Sequence, residues 1–192
     1  RRRRPLLRRF LPVVPDNARE ALWIHACSVG EIGAARPIIQ AIRRRWPDAK
    51  ILLTVSTVSG MNQARSACAE ATVTWFPFDH PLAVRAFIRR AAPRALILVE
   101  TELWPNVLRE MRRAERPAIL VNGRISDKHW PRYLRLRPFY KDALQNLSAA
   151  GMQNQEYAER IATLGMTPAR VHVTGATKFD GVTTTEIGRA HV

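Results

Sequence analysis

Cysteine, lysine and long apolar runs are what this sequence has least of. Its 192 residues include two cysteines, Cys27 and Cys68. Neither sits in metal-ligand spacing or a disulfide framework, so a reducing cytoplasm is the simplest setting. No stretch approaches the ~20 consecutive apolar residues that a membrane-spanning helix needs. No fixed-period repeat is present, and no low-complexity tract beyond the first nine residues. Nucleic-acid motifs are missing too: aromatics lie beside prolines or within apolar runs, not along a basic stripe, so nucleic acid is not an expected partner. Acidic residues are scarce, 16 against 31 basic, for a net charge of +15. Such a balance attracts phosphorylated or lipid anions. Four of the basic residues are lysines (Lys50, Lys128, Lys141, Lys178) and the rest arginine, a skew that a GC-rich coding sequence also produces. The charge alone leaves both readings open.

The length suits one domain, and 46% hydrophobic residues supply a core. Residues 1–20 read as a basic arm. Their opening Arg1–Arg4, Leu6, Leu7, Arg8, Arg9, Phe10 suits a membrane surface or a solvated charged tail. Residues 21–180 carry the domain. Residues 181–192 are set aside, because Glu186–Val192 (EIGRAHV) reads like translated adapter DNA; the natural chain is expected to continue past about Thr185.

Across 21–180, apolar runs alternate with amphipathic stretches. Strands are expected at Ala21–Ala26, Ile51–Val55, Thr72–Phe76, Ala95–Val99, Ala118–Val121, Ser148–Met152 and Val171–Thr174. Helices are expected through about Arg45, over Met61–Ala69, from Pro81 to about Arg90, after Trp104-Pro105, across Trp130–Leu144 and over Asn154–Leu164. Pro37 should kink the first helix or mark its start. This alternation specifies an α/β fold, a Rossmann-like parallel sheet with helices on both faces. In such folds ligands gather where strands end and helices begin.

Polar junctions follow nearly every strand. After the first comes Ser28-Val29-Gly30-Glu31, where Gly30 permits a tight turn with close backbone approach. Glu31 falls in a first helical turn, either as a general base or as a complement to the helix dipole that favours its ionised form. After the second, Ser56 and Thr57 offer hydroxyls near free helix amides for an anion, or simple capping by Thr57 or Ser59. After the third, Asp79 can cap the following helix and His80 can meet substrate. After the fourth, Glu100 and Glu102 flank Thr101 and share a face if the chain stays extended. After the fifth, Arg124 offers a planar fork for carboxylate or phosphate. Lys178 follows the last strand and can meet an anion or pair with Asp180.

The stretches His25-Ala26-Cys27-Ser28-Val29-Gly30-Glu31, Phe76-Pro77-Phe78-Asp79, Glu100-Thr101-Glu102-Leu103-Trp104-Pro105-Asn106, Asn122-Gly123-Arg124-Ile125-Ser126 and Gly175 with Lys178-Phe179-Asp180 occur in the order found in the Kdo transferases. The sequence resembles that family over about Trp23–Asp180. The resemblance implies the N-terminal, acceptor-binding domain of a glycosyltransferase B fold. It implies transfer of 3-deoxy-D-manno-oct-2-ulosonic acid from CMP-Kdo to a hydroxyl of the lipid A precursor, at the cytoplasmic face of the bacterial inner membrane. A C-terminal domain would hold the CMP-Kdo donor, an anchor would precede Arg1, and neither metal nor cofactor is required. Glu31 corresponds to the family's proposed base. Ser28, Gly30, Ser56, Thr57, Asp79, His80, Glu100, Glu102, Arg124 and Lys178 become candidate substrate contacts. The sequence departs from the family at Cys27 and at Ala176-Thr177, neither expected to touch a catalytic group. A different glycosyltransferase B enzyme with another membrane-bound acceptor is the alternative.

Overall fold

The computed structural model of the chain describes residues 9–10 and 13–177. Lys178 and the rest of its motif lie outside the described residues. Seven parallel strands form one sheet: β1 (Leu22–His25), β2 (Ile51–Val55), β3 (Thr72–Trp75), β4 (Ala95–Val99), β5 (Ala118–Gly123), β6 (Ala149–Met152) and β7 (Val171–Val173). Their order is β3-β2-β1-β4-β5-β6-β7. The helices are α1 (Val29–Arg45), α2 (Val58–Ala67), α3 (Pro81–Ala91), α4 (Pro105–Arg113), α5 (Trp130–Arg135), α6 (Arg137–Gln145) and α7 (Gln155–Thr163).

Successive strand residues supply opposite faces, as the two-residue period of a strand requires. Trp23, Leu52, Leu96 and Leu98 pack with Phe87, Leu108, Leu144 and Ile161 from α3, α4, α6 and α7. Ile24, Leu53, Ile97 and Val99 pack with Ile32, Ile39 and Met61 from α1 and α2. The central strands are therefore buried on both faces, which is why they read as unbroken apolar runs.

Three local expectations are corrected. Pro37 does not mark the start of its helix: α1 runs through it from Val29 to Arg45. One lost N–H is outweighed by the burial of Ile32, Ile39 and Ile42 along one side. Helix α2 begins at Val58, ahead of the expected Met61, because the Thr57 hydroxyl accepts the Gly60 N–H at 3.0 Å and so caps the earlier turn. The third concerns Asp79, which does not cap α3. Its carboxylate accepts the N–H groups of Asn106 and Val107 at 3.2 and 2.9 Å. It caps α4, whose own N-cap residue, Trp104, has no acceptor in its side chain.

Candidate active site

The sheet order reverses between β1 and β4, which run side by side while their following helices diverge. A crevice opens at such a switch point, beyond the carboxyl ends of the strands. Glu31 stands on the β1 side of it, and Glu100 and Glu102 on the β4 side.

Glu31 occupies the first turn of α1 and is 8% exposed. Its two oxygens accept the Cys27 N–H at 2.7 Å and the Ser28 hydroxyl at 2.9 Å. This is a variant of the capping box, reaching one residue further back. Burial pushes the Glu31 carboxyl above the usual carboxylate range, against the lowering effect of those hydrogen bonds, and Glu100 adds to the rise. Ionisation is thus disfavoured, because desolvation and the nearby Glu100 outweigh the hydrogen bonds that stabilise the charge. Glu102 is pushed up to about 7, first by burial, then by Glu31 and Glu100. Neither Glu31 nor Glu102 forms an ion pair among the described residues.

A cavity of about 460 Å³ is lined by Glu31, Glu100, Thr101, Glu102, Arg124, Ser126, Lys128, His129 and Tyr133. It gathers Glu31, Glu100, Glu102 and Arg124 from three separate junctions. The Thr101 hydroxyl staples two of these loops, accepting the Arg124 N–H at 2.9 Å and donating to the Arg124 carbonyl. Glu100 and Asn122 both adopt left-handed backbone, φ 61° and 54°. That conformation is uncommon for non-glycine residues, though Glu20, Ala92 and Glu115 also adopt it, away from the crevice. Asn122 is held there by its side-chain oxygen, which accepts the Thr177 N–H at 3.1 Å.

The other candidates are placed differently. Ser28 touches the site through Glu31. Gly30 makes no tight turn: it lies inside α1, and a Cβ there would meet nothing within 4 Å. A bare helix surface beside the site is what Gly30 provides. Thr57 is committed to α2 and donates to the Cys27 carbonyl at 3.2 Å. The Ser56 hydroxyl is buried beside the Cys27 thiol. Asp79 is engaged with α4, and His80 is the exposed N-cap of α3; neither lines the cavity.

Sequence reasoning missed Thr101, Ser126, Lys128, His129 and Tyr133, although Ser126 stood at the end of a quoted motif. It also misjudged Cys27. That residue donates its N–H to Glu31, and its thiol lies within 4.8 Å of the Glu31 and Glu102 carboxylates. Three such donors could hold a divalent ion. Binding there would release the protons that burial otherwise favours on all three groups. His25, in the same motif, is structural. It is fully buried, stacks on Phe76 at 3.7 Å, and its Nδ1 lies 3.0 Å from the Thr54 carbonyl. Burial lowers it to about 3, so it stays neutral.

Residues 4–181 match the family model described as 3-deoxy-D-manno-octulosonic-acid transferase (kdotransferase). The chain belongs to this family. It is 34% identical to the 3-deoxy-D-manno-octulosonic acid transferase of Rickettsia felis, over 83% of this chain and 34% of that one. It is 29% identical to the Haemophilus influenzae transferase, over 88% and 40%. The chain therefore spans two fifths or less of the length of these relatives. Among solved structures, the UDP-GlcNAc 2-epimerase of Neisseria meningitidis bound to UDP-GlcNAc aligns with a TM-score of 0.61 at 8% identity, covering 83% of this chain and 47% of that one. That likeness shows the Rossmann-like fold. With this family assignment, the β1–β4 crevice is the candidate active site of a Kdo transferase domain.

Proposed function

We propose that residues 21–180 form the acceptor-binding domain of an enzyme that transfers Kdo from CMP-Kdo to a hydroxyl of the lipid A precursor. A C-terminal domain of the enzyme would hold the donor. The observation that carries this reading is the convergence of the buried Glu31, which forms no ion pair among the described residues, with Glu102 at the switch-point crevice of a Kdo transferase fold.

The acceptor hydroxyl oxygen attacks the anomeric carbon of Kdo. The bond from that carbon to the CMP phosphate oxygen breaks, and CMP leaves with the electron pair. Glu31 takes the hydroxyl proton. A carboxyl lifted above its ordinary range is a stronger base once ionised. Its Cys27 N–H and Ser28 hydroxyl partners fix its orientation. Glu31 and Glu102 share one proton near neutrality, and its loss leaves Glu31 free to act throughout. Arg124 and Lys128, on the same cavity wall, offer cations to the anionic acceptor or to the sugar carboxylate.

The enzyme would work at the cytoplasmic face of the inner membrane, where an anionic lipid surface meets the basic chain. No helix among the described residues is long and apolar enough to cross a membrane, so contact by these residues would be peripheral. The test is Kdo transfer by the complete enzyme with lipid A precursor and CMP-Kdo. Glu31→Gln should bind acceptor and lose most turnover; turnover near the parent's would remove Glu31 as the base.

A further inference from the structure

Helix α5 has no buried residue. From Pro131 to Phe139 every residue except Tyr133 is exposed. Leu134, Leu136 and Phe139 stand 43%, 41% and 55% exposed, with Arg132, Arg135 and Arg137 interleaved among them. The segment 129–140 contains no acidic residue. None of the three arginines forms an ion pair among the described residues. Tyr133 and Tyr140 anchor the two helices from beneath, their rings 4.6 Å apart and packed on the core.

Single exposed apolar residues are ordinary, but this mixture has a specific chemical complement. Leucine and phenylalanine side chains gain by entering the boundary between lipid headgroups and acyl chains, while arginines beside them reach the phosphates. Nucleic acid would use the arginines and leave the apolar groups in water. The segment also borders the crevice: Tyr133 lines the cavity of Glu31 and Glu102, and Arg132, Tyr133 and Tyr140 line an adjoining one with Thr101 and Trp104.

We propose that the exposed α5–α6 segment is the face by which this chain docks on an anionic bilayer, holding the carboxylate crevice beside the headgroups. The proposal rests on the lipid-acceptor reading and adds the surface used. It makes this segment, rather than the basic arm at 1–20, the main contact.

The test is sedimentation of the 192-residue chain with phosphatidylglycerol-containing vesicles, against phosphatidylcholine alone. The parent should bind the anionic vesicles and bind the neutral ones weakly. Arg135→Gln with Arg137→Gln should weaken binding roughly fivefold per arginine at low salt. Leu134→Ser with Phe139→Ser should weaken it at high salt as well, where charge is screened. Deleting residues 1–8 should leave most of the binding. Far-ultraviolet circular dichroism and thermal unfolding confirm that each variant folds, as expected for exposed positions. α5–α6 variants that bind like the parent, a parent that does not bind, or binding abolished by the arm deletion would each overturn the proposal. So would variants that change only self-association, which would mark a protein contact instead. Transfer to detergent-dispersed acceptor tests the catalytic reading separately, without any bilayer.

Discussion

Two buried glutamates in this domain are treated in opposite ways. Glu110, on α4, is 7% exposed and lies between Arg85 and Arg113. Its hydrogen bond from Arg85 holds its carboxyl below the usual range. Glu31, 8% exposed, has two hydrogen-bond donors, no ion-pair partner among the described residues, and two further carboxyl groups across the crevice. Burial of a carboxylate is costly unless it is paired. The fold meets that cost with arginines at Glu110 and leaves it standing at Glu31, with left-handed Glu100 and Asn122 nearby. Glu110 is arranged for stability. Glu31 keeps a disfavoured charge, which suits the base proposed above.

The same substitution should therefore separate the two sites. In the complete enzyme, Glu31→Gln is expected to lower turnover by roughly 10²–10⁴-fold, the usual contribution of a positioned base. Its stability should change little, because the amide can accept the Cys27 N–H with its oxygen while its NH₂ donates to a rotated Ser28 hydroxyl. Glu110→Gln should do the reverse. It leaves turnover per folded molecule intact and costs roughly 1–3 kcal/mol in denaturant unfolding, since charged hydrogen bonds to two arginines are weakened. Equal effects of the two changes on turnover would erase the distinction.

Next in size is the cation on the crevice wall. Arg124→Ala is expected to weaken productive binding of acceptor or donor by roughly 1–3 kcal/mol, as for a lost charged hydrogen bond. The measure is kcat/KM for each substrate, and unchanged values would remove Arg124 from the site.

The clustered carboxyls also predict a pH signature. The folded protein raises Glu102 to about 7, whereas in the unfolded chain it titrates near its ordinary value of ~4.3. Between those values the folded state binds more protons. The stability associated with this group is thus fully present below the lower value and is lost as pH rises through the upper one. Glu102→Gln removes that loss. It should be more stable than the parent at about pH 8 by roughly 1–2 kcal/mol, a figure reduced for solvent screening of a partly exposed group, and equal to it near pH 4. Turnover should rise with pH through neutrality in the parent as the pair loses its proton, and this limb should move to lower pH in Glu102→Gln. A stability difference independent of pH would contradict the raised carboxyl.

The sheet was legible because burial on both faces leaves a simple mark, apolar runs such as Ala95–Val99. The crevice was legible because strand ends carry the ligand groups in this architecture, so Glu31, Glu102 and Arg124 could be named before their convergence was seen. What stayed hidden depends on contacts between distant segments. Asp79 serves α4 across 27 residues, and Thr101 ties two loops whose separation in sequence gives no sign of it. Cys27 looked like a neutral departure because its role runs through its backbone N–H. The first-turn position of Glu31 suggested an eased ionisation, and only the buried surroundings reverse that sign.

Gly30 offers the smallest effect and the finest test of whether the bare helix surface beside Glu31 is functional. Gly30 and Gly33 lie one turn apart in α1, both are exposed, and a Cβ at either would meet nothing within 4 Å. Neither needs left-handed backbone, since neither is among the positive-φ glycines. Physical chemistry alone says that both should be alanine. The change should stabilise the helix by roughly 0.5–1 kcal/mol at each position, because glycine surrenders more backbone freedom on folding. Gly33→Ala is expected to give that gain in thermal unfolding with unchanged transfer. Gly30→Ala should give a similar gain in stability together with a fall in kcat/KM for the lipid acceptor, because its methyl group would stand next to Glu31 where the acceptor approaches. A stabilised Gly30→Ala enzyme with parental kcat/KM would mean that the acceptor passes elsewhere, and the approach to Glu31 would then have to run over Arg124 and Tyr133.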